Sequence, residues 1–150
     1  MPERVAIVGS RDYPDLPEVR SFVRSLPDGT IVISGGARGV DQAAEKAARA
    51  RGLTVVSYRP VKHDKAWRVV RETFIGDAWE RIPREATFPT FRQVAFFRNG
   101  LIAEDCTKMV AFWDGQSRGT HNALGHARRF GRSFEVWVPD SERTQCLPLP

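Results

Sequence analysis

Three short glycine-containing segments carry residue types that bind anions. They are GSRD at 9–12, GGARGVD at 35–41 and WDGQSRGT at 113–120. Glycine lets backbone N–H groups approach a phosphate closely, and the guanidinium group of arginine matches the geometry of phosphate oxygens. Each segment contains one arginine, and the second and third lead into helical segments, whose N-terminal dipoles attract anions. Together the three segments predict a binding site for a phosphate group.

The elements around these segments predict that the three lie close together. Each segment follows an apolar, β-branched run that is typical of a buried strand, and helical segments alternate with these runs. This alternation predicts an α/β fold with a mostly parallel sheet, of five strands or slightly more, covered by helices on both faces. The predicted strands lie at 4–10, 30–34, 53–58, 108–113 and 133–139. In the order 3-2-1-4-5, strands 1, 2 and 4 would be neighbours, and their carboxyl ends would line one crevice.

The residues expected to contact the ligand come from all three segments. They are Gly9, Ser10, Arg11, Gly35, Gly36, Ala37, Arg38, Gly39, Asp41, Gly115, Ser117, Arg118, Gly119 and Thr120. A surface ion pair is the alternative for any one arginine, but three arginines at equivalent loop positions favour a shared role. Asp41 also fits the N-cap of the second helix, with Gly52 as its stop, and catalysis is the other role open to Asp41.

The glycine spacing restricts the kind of phosphate ligand. The pattern Ser34-x-Gly36-x-x-Gly39 approximates a dinucleotide fingerprint, but serine replaces the first glycine. No acidic residue ends the next strand, where the ribose of a dinucleotide would bind, and no GxxxxGK[ST] loop is present. A mononucleotide, a nucleotide sugar or a nucleic-acid phosphate therefore fits better than NAD or ATP hydrolysis. No cofactor and no metal site are predicted.

The segment at about 59–97 interrupts the alternation of strands and helices. We expect a helical insertion here, with short helices near 65–74 and 91–104. Residues 58–98 include nine Lys or Arg and five acidic residues, interleaved with seven Trp or Phe. Such a mixture is compatible with a surface for single-stranded nucleic acid. The pattern favours a packed helical insertion whose aromatic residues belong to the core and whose arginines are solvated.

Composition limits the class of protein. A chain of 150 residues with 41% hydrophobic content suits one compact domain, with a poorly structured tail at about 140–150. No apolar run approaches the roughly 18 residues that suggest a membrane span, and no secretory signal is visible, so we expect a cytoplasmic protein. Cys106 and Cys146 are expected to be free thiols. The net charge of +5 suits an anionic partner.

Four motifs, VGSR, SGGARGVDQAA, RN at 98–99 and AFWDGQSRGT, occur in an order that resembles the SLOG superfamily of nucleotide-binding proteins. The chain most resembles the small single-domain group of that superfamily. The superfamily also includes the DNA-processing protein A family, whose single-stranded-DNA-binding domain has a similar SGGARGID loop, and the lonely-guy phosphoribohydrolases. The resemblance covers roughly residues 4–139. It implies a Rossmann-like three-layer fold whose loops at 9–11, 35–39 and 115–120 hold a phosphate or ribose, with Asn99 among the binding residues.

The resemblance also bears on catalysis. The phosphoribohydrolases carry PGGxGTxxE, in which the glutamate assists cleavage of an N-glycosidic bond together with an arginine earlier in the chain. Here Gly119 and Thr120 match this motif, but Ala123 stands at the glutamate position. Because cleavage of such a bond needs a carboxylate, Asp114 would supply the acid, and Arg98 would take the arginine role. A turn aspartate that caps its own loop is the alternative for Asp114.

Three functions remain open on this basis. The leading hypothesis is a protein that binds a nucleotide or nucleotide derivative as a sensor or carrier. The alternatives are a nucleoside-monophosphate phosphoribohydrolase and a single-stranded nucleic-acid-binding module of the DNA-processing type. The expected partner is a nucleotide or another phosphorylated small molecule, with nucleic acid possible and no membrane. Assembly as a homo-oligomer is also expected.

Overall fold

Strands and helices alternate along most of the chain in the structure, a computed structural model that describes residues 2–139. The strands are β1 (Arg4–Gly9), β2 (Ile31–Ser34), β3 (Thr54–His63), β4 (Ala66–Ile75), β5 (Ala78–Pro83), β6 (Lys108–Phe112) and β7 (Ser133–Trp137). The helices are α1 (Leu16–Arg24), α2 (Val40–Ala50), α3 (Phe91–Asp105) and α4 (Arg118–Arg129).

All seven strands belong to one sheet, in the order β5-β4-β3-β2-β1-β6-β7. Strands β3, β2, β1, β6 and β7 are parallel, whereas β4 and β5 extend the sheet as antiparallel strands. The predicted order of five strands is confirmed, since β6 and β7 are the predicted strands 4 and 5. Gly9 at the end of β1 pairs with Phe112 at the end of β6, so the loops that follow both strands leave the sheet side by side.

Helices cover both faces of the sheet, which gives the Rossmann-like three-layer fold. Side chains alternate along β1: Val5 and Ile7 pack toward α1 and α2, whereas Ala6 and Val8 pack toward α3 and α4. Each fully buried Val or Ile side chain contributes about 1.5–3 kcal/mol to folding. The predicted stop of α2 is also confirmed, because Gly52 follows the helix with a φ of 75°, a conformation that glycine adopts without steric cost.

The segment at 59–97 is not a helical insertion, and the predicted helix near 65–74 is wrong. Strand β3 continues to His63, and β4 and β5 return as antiparallel strands connected by two-residue turns. Asp64 and Gly76 begin these turns with φ of 60° and 68°, the left-handed backbone that tight hairpins require. We call residues 59–83 the ribbon. The second predicted helix, near 91–104, is confirmed as α3.

No helix within residues 2–139 is long and apolar enough to cross a membrane. In the same part of the chain, no three His, Cys, Asp or Glu side chains are placed to share a metal ion. Cys106 is a buried free thiol, as expected. The predicted tail at 140–150, with Cys146, lies outside the described residues.

Candidate functional site

A cavity of about 400 Å³ opens at the carboxyl edge of the sheet. The loops after β1 and β6 form two of its walls, and the first turns of α3 and α4 form the others. It is lined by Val8, Gly9, Ser10, Arg11, Asp12, Ala37, Asp41, Phe91, Ala95, Arg98, Asn99, Asp114, Gln116, Ser117, Gly119, Thr120 and Ala123. Residues from all three glycine-containing segments therefore meet in one place.

A second cavity of about 210 Å³ lies between the 35–39 loop and the start of the ribbon. The two cavities are adjacent, and we call them together the crevice. The four residues that line both are Arg11, Ala37, Phe91 and Arg98. Gly35, Gly36, Arg38, Gln42 and Pro60 line the second cavity only. Three residues predicted from the sequence, Gly39, Gly115 and Arg118, line neither cavity.

The 35–39 loop needs glycine because of its backbone conformation and its close neighbours. Gly36 and Gly39 have φ of 71° and 85°, in the left-handed region that favours glycine. A Cβ atom at Gly36 would lie 2.5 Å from Nη1 of Arg59, and one at Gly39 would overlap the carbonyl oxygen of Arg11. The loop therefore packs tightly against both the first segment and the ribbon.

Asp41 is not the N-cap that the sequence predicts. Helix α2 begins one residue earlier, Gly39 takes the cap position, and no side chain caps the helix. Instead, the buried carboxylate of Asp41 accepts hydrogen bonds at Oδ2 from the N–H groups of Gly35 and Ala37, each at 3.2 Å. These two N–H groups are thus engaged by an internal carboxylate. The N–H groups of Arg38 and Gly39 donate to no hydrogen-bond acceptor within residues 2–139.

Burial gives Asp41 unusual acid–base properties. The low-dielectric surroundings disfavour its charged form and raise its pKa from 3.8 to about 7. The positive charge of Arg98 opposes this increase, whereas the nearby carboxylate of Glu45 adds to it. Burial also lowers the pKa of Arg98, and the charge of Asp41 opposes that decrease. At neutral pH, a carboxyl group close to half protonation therefore lies beside a buried cation.

Arg98, predicted as a catalytic residue, holds the loop in place. Its side chain extends from α3 and its guanidinium group donates to the carbonyl oxygens of Gly35 and Tyr58, the latter at 3.3 Å. Nε donates to the carbonyl of Ala95, also at 3.3 Å. Because these bonds connect α3 to the end of β2 and to the middle of β3, Arg98 positions the 35–39 loop. A catalytic role for this residue stays a prediction.

Asp114, the other predicted catalytic residue, is exposed and caps its own loop. Its Oδ1 accepts from the N–H groups of Gln116 and Ser117 at 2.8 Å each, and its own N–H donates to Oγ of Ser10 at 3.1 Å. Partial burial raises the pKa of Asp114, but the hydrogen bonds from Gln116, Ser117 and Ser10 outweigh burial and lower the pKa overall. This geometry corresponds to the capping alternative, and a catalytic role for Asp114 stays a prediction.

The start of α4 forms the far wall of the larger cavity. Ser117 caps the helix, with its Oγ accepting from the N–H of Thr120 at 3.4 Å. Asn99 joins α3 to this wall, since its Nδ2 donates to the carbonyl of Gly119 at 3.1 Å. Ala123 is buried and lines the cavity at the position where a phosphoribohydrolase would carry its glutamate. Its methyl group cannot transfer a proton.

The three arginines of the glycine-containing segments are exposed, and none forms an ion pair within residues 2–139. Arg11 lines both cavities, and its guanidinium carbon lies 5.9 Å from the ring centroid of Phe91. Arg38 lines the second cavity. The structure therefore brings two of the three cations to the crevice and leaves Arg118 outside its walls.

Two residues that the sequence did not single out shape the crevice. Arg59 bridges the ribbon to the loop, donating to the carbonyl of Gly36 at 3.1 Å, to Glu45 at 2.9 Å and to Glu72 at 2.5 Å. Phe91, the first residue of α3, is 40% exposed and lines both cavities. The only signal for either residue was its place in the basic, aromatic segment.

A protein-family model described as DNA recombination-mediator protein A matches residues 1–146. The chain belongs to this family. The match confirms the resemblance to the SLOG superfamily. A comparison with curated proteins gave no match.

Two solved structures show the fold of this family. DNA processing protein A from Streptococcus pneumoniae matches with a TM-score of 0.69 and 22% identity, over 90% of this chain and 50% of that one. DNA processing protein A from Helicobacter pylori, described with a unique single-stranded DNA binding mode, matches with a TM-score of 0.69 and 20% identity, over 96% of this chain and 69% of that one. This chain thus spans half the length of the pneumococcal protein.

Proposed function

We propose that this chain binds single-stranded DNA across the mouth of the crevice. The family match and the DNA binding mode described for the Helicobacter pylori protein support DNA over the nucleotide alternatives. The observation that carries the proposal is the pair Arg11 and Arg38, which are exposed at the crevice and have no ion-pair partner within residues 2–139. Guanidinium groups without protein partners suit the phosphates of a nucleic-acid strand.

Backbone groups at Arg38, which lines the second cavity, and at the adjacent Gly39 support the same arrangement. The N–H groups of Arg38 and Gly39 have no acceptor within the described part of the chain and lie just before α2. The first turn of a helix carries a partial positive charge, so this position favours a phosphate. One phosphate can then receive hydrogen bonds from both the side chain and the main chain of the loop.

The charges at the floor of the crevice largely offset each other, because the carboxyl group of Asp41 lies beside the buried cation of Arg98. Asp41 already engages the N–H groups beneath the loop, and its carboxylate repels an anion when ionised. Val8, Ala95 and Ala123 supply apolar surface to the larger cavity. A strand whose phosphates stay at the mouth, with one nucleobase directed inward, matches this distribution of charge.

Fluorescence anisotropy with a labelled oligothymidine tests the proposal. We expect binding by wild type that weakens as salt rises from roughly 50 to 200 mM, and a salt slope that is smaller by about 0.7 in Arg11→Ala and in Arg38→Ala, because each substitution removes one cation that pairs with a phosphate. Arg24→Ala is the matched control, because Arg24 is exposed in the last turn of α1, away from the crevice. No binding by wild type at low salt, or equal weakening by all three variants, would reject the proposal.

The larger cavity favours one second candidate, the binding of a nucleotide or another phosphorylated small molecule. Its volume of about 400 Å³ falls within the usual range of ligand pockets. Thermal unfolding with a panel of nucleoside monophosphates tests this candidate, and we expect a stabilisation that Arg11→Ala abolishes. Equal stabilisation of wild type and Arg11→Ala would count against nucleotide binding at this cavity. Chromatography of the same mixtures for released base tests the phosphoribohydrolase alternative, in which Asp114 and Arg98 would act.

A further inference from the structure

We infer that the strand's path continues from Phe91 and Arg11 at the crevice onto the ribbon, where Trp67 and Lys62 extend a stacking track for further nucleotides. The inference rests on the proposed binding of single-stranded DNA. It assigns a binding role to ribbon residues outside the crevice and specifies their ligand chemistry, namely nucleobases with adjacent phosphates.

Ring and cation contacts run without a gap from the crevice to the ribbon. Phe91 lines the crevice, and its ring lies 5.2 Å from that of Trp67, centroid to centroid, at an angle of 76°. Arg11 lies 5.9 Å from the centroid of Phe91, and Nζ of Lys62 lies 6.0 Å from that of Trp67. Lys62 and Trp67 are paired in β3 and β4, so their side chains share one face of the ribbon. Pro60, two residues before Lys62, shares this face and lines the second cavity.

The exposure of these groups distinguishes a binding surface from simple packing. Phe91 is 40% exposed, and Trp67 is half-buried, with the core beneath it. Lys62 and Arg11 are exposed, and neither has an ion-pair partner within residues 2–139. Two cations and an aromatic surface are therefore open to a ligand at the same place.

On the opposite face of the ribbon, the cations beside an aromatic ring have carboxylate partners. Trp79 also has two cations over its ring, Arg49 at 5.6 Å and Arg81 at 5.9 Å. Both of these cations have carboxylate partners, since Arg81 pairs with Glu72 at 2.7 Å and Arg49 with Glu45 at 3.9 Å. The cations of that cluster thus have carboxylate partners, which they share with Arg59, whereas Arg11 and Lys62 have no carboxylate partner within residues 2–139.

A single strand of nucleic acid supplies both groups that this surface lacks. Every nucleobase has a flat π-face that stacks on an aromatic ring, and removal of one such ring typically weakens binding about tenfold or more. The phosphate beside each base can pair with Lys62 or Arg11. Because stacking tolerates any base, the track is expected to bind without strong sequence preference.

Two oligothymidines of different length separate the track from the crevice. A dinucleotide is accommodated by the crevice, and an oligonucleotide of about twelve nucleotides reaches the ribbon. We expect Trp67→Leu to weaken binding of the long oligonucleotide about tenfold and to leave the short one nearly unchanged. Lys62→Ala is expected to lower the salt slope for the long one by about 0.7. Lys65→Ala is the matched control, since Lys65 is an exposed lysine in the same hairpin.

A conservative variant and thermal unfolding serve as controls for correct folding of the ribbon in the substituted proteins. Trp67→Phe keeps an aromatic face and should retain most of the affinity for the long oligonucleotide. Unchanged binding of both lengths by Trp67→Leu and Lys62→Ala, while Arg11→Ala loses binding, would overturn the track and leave the crevice proposal intact. If Trp67→Leu weakened binding of the short and the long oligonucleotide equally, the track would also be overturned. Absence of binding by wild type would overturn both proposals.

Discussion

The buried carboxyl group of Asp41 makes the stability of this protein depend on pH. The residue is 5% exposed, and its Oδ2 accepts hydrogen bonds from Gly35 and Ala37. In Asp41→Asn, the amide oxygen can still accept both hydrogen bonds, but the ionisable group is gone. A comparison of the two proteins therefore isolates the effect of protonation at this site.

The sign and size of the effect follow from the pKa of Asp41. Its pKa is raised from 3.8 to about 7 on folding, so the native state keeps a proton over a range in which the unfolded chain has lost it. Stability is therefore greatest below the lower pKa and falls by about 1.4 kcal/mol per pH unit until the higher one is passed. Over this range the loss amounts to about 4 kcal/mol.

Unfolding in urea, followed by circular dichroism between roughly pH 4 and pH 8, measures this loss. We expect the stability of Asp41→Asn relative to wild type to rise by about 4 kcal/mol up to about pH 7 and then to stay constant. Asp77→Asn, in the exposed turn between β4 and β5, should follow wild type throughout. A stability profile for Asp41→Asn that runs parallel to that of wild type would refute the reasoning. So would a stability of Asp41→Asn relative to wild type that falls as pH rises.

Three further measurements test how the crevice and its supports are built. Arg59→Ala removes the nearer cation of the buried Glu45, which keeps only Arg49 at 3.9 Å, so we expect a loss of about 3 kcal/mol in urea unfolding, against less than about 1 kcal/mol for Arg81→Ala at the surface. Equal losses of stability in the two variants would contradict the role of Arg59 as a bridge between the ribbon and the loop. Gly36→Ala adds a Cβ beside a guanidinium group at a φ of 71°, and its melting temperature should fall clearly further than that of Gly76→Ala, where φ is 68° and the surroundings are open. Similar decreases would show that the close approach is unimportant. Burial raises the pKa of Cys106 to about 11, so iodoacetamide should label it slowly at neutral pH, as measured by peptide mass spectrometry; rapid labelling of the folded protein would contradict this.

The parallel part of the fold was predictable because its strands are covered on both faces. Residues 5–8 read as one apolar run, and all four side chains are buried, two on each face of β1. Helical segments with clear ends separate such runs, so strand type and helix positions could be inferred, and the order 3-2-1-4-5 could be proposed for the sheet. The sheet order then placed the three glycine-containing segments at one edge.

The ribbon was missed because its pattern is neither continuous nor alternating. Most residues of β4 are half-buried, since α3 packs on one face and the cluster of Phe74, Trp79 and Arg49 lies on the other. Without a period of two, the apolar residues at 65–74 were compatible with a helix. The two-residue turns that begin at Asp64 and Gly76 carried the better signal for a hairpin.

The site was predictable in its glycine loops and less so in its charges. Whether Asp41 caps a helix or accepts hydrogen bonds from residues before it depends on the path of the loop, which spacing alone does not determine. The bridge from Arg59 to Gly36 and Glu45 requires β3 to pair with β2 and α2 to pack against both strands. Arg118 begins α4 and is exposed, so its place in a glycine-containing segment did not bring it to the crevice.

Photo-crosslinking with an oligothymidine that carries 5-iodouracil tests the central claim most directly, because it reports where the strand lies. The proposal predicts adducts on Phe91 at the crevice, and their loss when Arg11 and Arg38 are both replaced by alanine. Peptide mass spectrometry identifies the modified residues. Adducts on Trp79 or Trp137, with the crevice peptides unmodified, would place the strand elsewhere and contradict the account.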